Sequence, residues 1–583
     1  MSYPLSLRRT PSQSWFPSRL LCAIATLLFF WPDLSTGALT VSTYDGTLNG
    51  TAVLGGAVAR FTVPYARPPV GALRLADPVA FPNFRQLPNL TRWSAFRNSF
   101  DGSTLPPPCP QAGRNYSEDC LFITWVNAKL FTSIYTPSSA LVTSAAKLPV
   151  LFWIHGGSFY NGASSDIDGA NLANQEKVVV ITVQYRLGVL GQLRLDRVGL
   201  RGNYAIKDLI VALQYVQSRI SAFGGDKSLV TLAGQSSGGE MIRTLLGITA
   251  AKPLFTRAII HSAPLAYGDL PPVMANEIGE LASINCTNIK CLRSASVESI
   301  LAAQTALQTS TSPSFAPLNV PGLDPLSEFL RPNVDGSLVP IDFAEAVRQD
   351  VLLPSGYKSV IFTNVKDESC SFVASLFTDP FSANELGDVL TKLQPTSAAR
   401  IIASRLYKTN NSNEDGRTVF ASMVTDESWI CPIQQTVLNL SSSAVNTGSY
   451  WLAEFDLGLS YDEEESSFCT GKVSHGDDIR LLFNTPLLTP TTSQTRLIAE
   501  VQSRWGAFIR TGSPNPAGAL NLPRWKPATD SSNLNLLFLG GSSTTSGQSY
   551  VARRRESVSR RSCRELWGVG VEYENQKLQA YYN

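Results

Sequence analysis

Thr231-Leu232-Ala233-Gly234-Gln235-Ser236-Ser237-Gly238-Gly239-Glu240 carries an apolar run straight into a glycine-pinched turn. Upstream, Ser228-Leu229-Val230-Thr231-Leu232-Ala233 has strand composition, and downstream Met241-Ile242-Arg243-Thr244-Leu245-Leu246 keeps a helical apolar spacing. The stretch is therefore predicted as strand, sharp turn and helix, with Ser236 at the tip. Gly234 and Gly238 flank the serine as Gly-x-Ser-x-Gly, which lets strand and helix approach closely while the serine hydroxyl projects outward. A serine in an ordinary glycine-rich turn gives the same pattern, so its meaning depends on a base, an acid and an oxyanion site elsewhere.

Working outward, Leu148-Pro149-Val150-Leu151-Phe152-Trp153-Ile154, Val178–Val183 and Cys120–Val126 are continuous apolar runs, as in strands covered on both faces. Arg257–Ser262, Ser359–Asn364 and Ser449–Phe455 read as further strands, with helical insertions from about Pro271 to Arg348. Leu39–Tyr44 and Thr51–Leu54 fit an antiparallel edge hairpin. In the helical segment from Asn203 to Val216, Ile206, Leu209, Ile210, Leu213 and Val216 form one core-facing stripe. A second helix runs from Ser493 to Thr511 and stops at Gly512-Ser513-Pro514-Asn515-Pro516. Strands alternating with helices predict an α/β fold: a large central, mostly parallel twisted sheet with helices on both faces.

The formal net charge of +2, with 16% charged residues, gives no field that would draw the chain to nucleic acid. Arg553-Arg554-Arg555 and Arg560-Arg561 read as a solvated face. Residues 1–38 read as a secretory signal peptide: Arg8, Arg9 and Arg19 precede the uncharged run Leu20–Trp31, then small residues Ser35-Thr36-Gly37-Ala38. That run is too short to span a bilayer, so no stable membrane anchor is expected and residues 39–583 form the mature chain. Asn-x-Ser/Thr sites at Asn49, Asn89, Asn115, Asn285, Asn410 and Asn439 fit a secreted, extracellular glycoprotein. Loss of Cys22 with the signal leaves Cys109, Cys120, Cys286, Cys291, Cys370, Cys431, Cys469 and Cys563, an even number suited to an oxidising space. Close spacing suggests Cys109 with Cys120 and Cys286 with Cys291. No Cys/His spacing argues for a metal.

A serine hydroxyl needs a base within hydrogen-bond reach. There are three histidines, His155, His261 and His475. With the serine, acid, histidine order that such an elbow takes on this fold, His155 is excluded and almost no room is left for an acid before His261, so His475 is the candidate base. The acid should follow a strand between serine and histidine. Lys366-Asp367-Glu368 follows the Phe362 run, and spacing does not choose between Asp367 and Glu368. After the Leu148–Ile154 strand, His155-Gly156-Gly157-Ser158-Phe159 supplies small residues whose N–H groups can point at one spot, and Ser237 adds another.

With these parts in order, the chain resembles the type-B carboxylesterase, cholinesterase-like family of the α/β-hydrolase fold over nearly all of its length after the signal. The resemblance rests on Pro64-Tyr65-Ala66-Arg67-Pro68-Pro69-Val70-Gly71, Ser117-Glu118-Asp119-Cys120-Leu121, Gly156-Gly157, Phe223-Gly224-Gly225-Asp226, the Ser236 turn, Lys366-Asp367-Glu368 and His475-Gly476. It implies one catalytic domain over 39–583, Ser236 as nucleophile, Glu368 as acid, His475 as base, and Gly157, Ser158 and Ser237 as oxyanion donors. It also implies disulfides Cys109–Cys120, Cys286–Cys291 and Cys431–Cys563. A serine esterase acting on a small-molecule carboxylic ester is expected, with no metal or organic cofactor. A triglyceride lipase and a non-catalytic binding module are the rival readings, and the sequence leaves the oligomeric state undetermined.

The chain departs from the family's pattern at several positions. Gln235 stands where the family usually has Glu, Ser237 where it has Ala, and Ser158 where a third Gly is common. The loop from Cys109 to Cys120 is shorter than the flap of related lipases and cholinesterases, which argues against lid-controlled activation and a choline-binding flap. Cys370 and Cys469 fall outside the common pattern but lie close in sequence to Glu368 and His475, so they are expected to pair and pin acid to base.

Overall fold

Strands covered on both faces need two cores, and alternate side chains supply them. The computed structural model describes residues 39–567 apart from 44–45, 82–98, 104–106, 124–133, 143–146, 312–327, 352, 355, 357, 395–396, 408–413, 460–466, 519–520, 530–533, 542–547, 553–562 and 564. Residues 1–38, read as a signal peptide, and Asn89, Asn410 and the arginine patch near the C-terminus lie outside the described residues.

Among the described residues, thirteen strands form the central sheet. They are β1 (Leu39–Thr43), β2 (Gly46–Val53), β3 (Val58–Phe61), β4 (Ser99–Asp101), β5 (Ile134–Pro137), β6 (Leu148–Ile154) and β7 (Val179–Val183). The second half holds β8 (Gly225–Gln235), β9 (Arg257–His261), β10 (Ser359–Val365), β11 (Tyr450–Phe455), β12 (Leu536–Leu539) and β13 (Tyr550–Ala552). Their order is β1-β2-β3-β5-β7-β6-β8-β9-β10-β11-β12-β13, with β4 on β2. From β7 through β12 every pair is parallel, while the path outside that block is antiparallel.

Six helices matter for the site: α1 (Ala170–Glu176), α2 (Tyr204–Arg219), α3 (Ser237–Leu246), α4 (Cys370–Leu376), α5 (Asp477–Phe483) and α6 (Thr492–Thr511). On one face Val150, Phe152 and Ile154 of β6 pack with Ile206, Leu209 and Leu213 of α2 and with Met241 and Leu245 of α3. Leu151 and Trp153 point the other way, toward Leu497, Val501, Trp505 and Phe508 of α6. Full burial of each such side chain stabilises by roughly 1.5–3 kcal/mol, so a polar residue at either phase of β6 would open one core or the other. Helix α6 begins with a reciprocal Thr491/Gln494 capping box and ends at Gly512, whose φ is 81°.

The Cys120–Val126 run departs from expectation. Its described part, Phe122–Ile123, is a short strand pairing antiparallel with Val63–Pro64 outside the central sheet, and residues from 124 onward are outside the described set. Pro64, which pairs with Phe122, has no N–H to extend a ladder, and the Cys109–Cys120 disulfide ties the segment locally, with Cys120 and Leu121 packed in the core on one face of the sheet.

Candidate active site at the carboxyl ends of the strands

Because β6, β8, β9 and β10 run parallel in register, Ile154, Gln235, His261 and Val365 all finish on the same edge of the sheet. The turns that follow must share that edge, which is where ligands settle on open α/β sheets.

Ser236 has φ 57° and ψ −131° and is 8% exposed, between the end of β8 and the start of α3. A β-carbon at Gly234 would lie 2.6 Å from the Gly238 carbonyl, and one at Gly238 would run into the Ile154 and His155 carbonyls. Strand, helix and neighbouring turn thus meet only through glycine. The Ser236 N–H donates to His261 O at 2.9 Å, and the Ser236 carbonyl accepts from Gly239 and Glu240 N–H, so the strained residue is held from both sides.

His475 Nδ1 lies 2.6 Å from Glu368 Oε2, and the Val365 N–H donates to Glu368 Oε1 at 2.8 Å. Glu368 is 1% exposed, whereas the His475 side chain is 23% exposed. Burial disfavours the His475 imidazolium, but the hydrogen bond and charge of Glu368, with smaller contributions from Asp478 and Glu328, outweigh it and raise the pKa above the ordinary histidine value. Of the two carboxylates that spacing leaves open, Glu368 faces the imidazole, whereas Asp367 points to the backbone, accepting from Val473 N–H at 3.0 Å, while its own N–H donates to Val473 O at 3.0 Å. Asp367 therefore fastens the strand end to the loop that carries His475. Trp429 walls the imidazole, with ring centroids 5.7 Å apart, and its indole N–H donates to Ser262 O at 2.9 Å.

The other two histidines are buried. His155 stacks on Tyr185 at 4.4 Å, and burial lowers its pKa to about 4. His261 is fully buried between Asp478 Oδ2, 2.7 Å from Nδ1, and Trp505, whose indole N–H donates to Nε2 at 3.0 Å.

Gly157, Ser158 and Phe159 have φ of 112°, 52° and 64°, a run that turns successive N–H groups toward one side. The Phe159 N–H donates to Ser237 Oγ at 3.2 Å, so the Ser237 hydroxyl stitches this turn to the start of α3. Among the described residues, no carbonyl or side chain accepts from the N–H groups of Gly157, Ser158 and Ser237.

Four disulfides are present: Cys109–Cys120, Cys286–Cys291, Cys370–Cys469 and Cys431–Cys563, with Cα separations of 5.1, 5.4, 5.8 and 5.1 Å. Cys370 opens α4 directly after the Glu368 turn, and Cys469 precedes the His475 loop, so this bridge closes a 99-residue excursion between the two loops. Misplacing a reacting group by about 1 Å costs up to roughly 100-fold in rate. A Cys370→Ala/Cys469→Ala double variant, assayed below its own melting temperature, is expected to lose about 10-fold or more in kcat toward a nitrophenyl ester with little change in KM. An unchanged kcat would show that the loops keep their register without the bridge.

Sequence reasoning did not place Gln235 or Trp429 beside His475. Only the sequence position of Gln235, next to the serine, offered a signal.

Fold and site geometry together define an α/β-hydrolase. A family model described as "Carboxylesterase family" matches residues 37–555, and the chain belongs to that family. This places it among the carboxylic ester hydrolases. It is 29% identical over 547 residues to mouse (Mus musculus) "Carboxylesterase 1D", covering 86% of this chain and 90% of that one. To the "cAMP-regulated D2 protein" of Dictyostelium discoideum it is 28% identical, covering 82% and 85%. A solved "PNB esterase" structure superposes with a TM-score of 0.68 at 25% identity, covering 90% of this chain and all of that one.

Proposed function

We propose that this chain is a secreted serine esterase that cleaves small carboxylic esters through an acyl-enzyme on Ser236. His475 takes the serine proton as Oγ attacks the carbonyl carbon, then returns it to the leaving alcohol; water repeats the cycle on the acyl group. Glu368 holds the imidazole through Nδ1–H and stabilises the imidazolium. The N–H groups of Gly157, Ser158 and Ser237 receive the oxygen that becomes negative, each worth about 3 kcal/mol in the transition state. What supports this reading most is one observation: a carboxylate 2.6 Å from the imidazole of a loop brought to the edge where a strained serine projects.

Secretion is supported by the predicted signal segment and by the four disulfides. Among the described residues no helix is long and apolar enough to cross a membrane. Asn115 and Asn285 are exposed, and Asn49 and Asn439 are half-buried, so glycan acceptors are proposed first at Asn115 and Asn285.

The test is the pH dependence of kcat/KM for nitrophenyl acetate. Activity needs neutral His475, so it falls as pH drops through that group's pKa; because the pKa is raised, the midpoint of the acidic limb should lie above about 6.5. A limb at about 4, where burial holds His155, would contradict the assignment of the base.

A further inference from the structure

One contact in the site serves neither the serine nor the acid. Gln235 Nε2 lies 2.8 Å from His475 Nε2, the nitrogen that has to accept the serine proton, although the two residues are 240 positions apart. The Glu368 carboxylate, 2.6 Å from Nδ1, can only accept, so Nδ1 carries the hydrogen and a neutral imidazole has its lone pair on Nε2. The group facing that lone pair must then be a donor, and the carboxamide NH2 is the donor present. The Gln235 side chain is confined on its other side: a β-carbon at Gly156 would lie 2.9 Å from Gln235 Oε1, and one at Gly476 would lie 4.0 Å from Nε2. It therefore fills the space between the turn after β6 and the His475 loop.

We propose that Gln235 is a positioning residue that keeps His475 as a neutral, lone-pair-bearing base by donating its carboxamide N–H to Nε2 until the serine hydroxyl replaces it. This inference rests on the reading of His475 as the base. The charged groups acting on the imidazole are Glu368, hydrogen-bonded to it from the turn after β10, and, through their charge, Asp478 of α5 and Glu328, all of which favour the imidazolium. Gln235 is the opposing influence, because an N–H donor at Nε2 is compatible only with the unprotonated ring.

The test compares the acidic limb of kcat/KM for nitrophenyl acetate in the native protein, Gln235→Met and Gln235→Glu. Met keeps the side-chain length without the donor, and Glu replaces the donor with a charge that favours the imidazolium. The midpoint is expected to rise by roughly half a pH unit in the Met variant and by about one unit or more in the Glu variant. A role in packing alone would not order the limbs by charge. Unmoved limbs in both variants, with the native limb present and lost together with activity in Ser236→Ala, overturn the role of Gln235 and leave the esterase reading standing. A native profile with no acidic limb overturns the base assignment and this proposal with it. Thermal melts of both variants identify a loss of activity that comes from unfolding, and the isosteric Glu variant carries the comparison if the Met variant does not fold.

Discussion

Ser236→Ala is expected to abolish turnover of nitrophenyl acetate to within a residual rate, a loss of about 10⁵- to 10⁶-fold in kcat, with the melting temperature essentially unchanged. Both halves of the result follow from the local structure. Alanine keeps the β-carbon at φ 57° and removes one oxygen from a residue whose backbone is held by His261, Gly239 and Glu240, so no packing or main-chain hydrogen bond changes. What disappears is the hydroxyl oxygen proposed to form the acyl bond. The residue of catalysis reports the oxyanion donors, which still bind the tetrahedral species when water attacks directly. A variant retaining a tenth of native kcat would show that the chemistry lies elsewhere.

Glu368→Gln should lower kcat by about 10⁴-fold. Glu368 uses both oxygens, one accepting from the Val365 N–H and the other from His475 Nδ1. A carboxamide can satisfy only one of these as acceptor. Keeping oxygen toward Val365 turns NH2 onto Nδ1, which forces the hydrogen to Nε2 and aims a donor, not a lone pair, at Ser236. The opposite flip gives Val365 a donor to face. Either way the imidazolium loses its counter-charge, so the acidic limb of the remaining activity should also move to lower pH. Asp367→Asn, by contrast, leaves an amide oxygen to accept from Val473 and should cost far less, which separates the two neighbouring carboxylates by function.

The parts legible in the sequence were those fixed by local pattern. Leu148–Ile154 is apolar at every position and Val179–Val183 at every position but Thr182, because alternate residues enter different cores, and such a run is what marks a parallel central strand. The helical stripe from Ile206 to Val216 and the stop at Gly512 were equally plain. Short strands were not: Ile134–Pro137, Leu536–Leu539 and Tyr550–Ala552 have four residues or fewer, too few to show a period, and they join the sheet because neighbours supply an edge. Phe122–Ile123 looked like a core strand because composition does not say which partner a strand will find.

In the site, Ser236 and His475 were legible by residue type and order. Asp367 and Glu368 were not separable by spacing, since adjacent residues at a strand end point to different sides and only the fold says which side holds the histidine. The Gln235–His475 contact was out of reach for a different reason: it joins the end of β8 to a distant loop through side-chain reach alone. The Cys370–Cys469 bridge was anticipated from proximity in sequence to the two loops it ties.

The most direct test of the central claim is to react the native protein with a fluorophosphonate and locate the adduct by peptide mass spectrometry. One phosphonyl group per chain is expected, on the peptide containing Ser236, formed at a rate that falls steeply in His475→Ala. An adduct on any other serine, or labelling at Ser236 that proceeds as fast without His475, would contradict it.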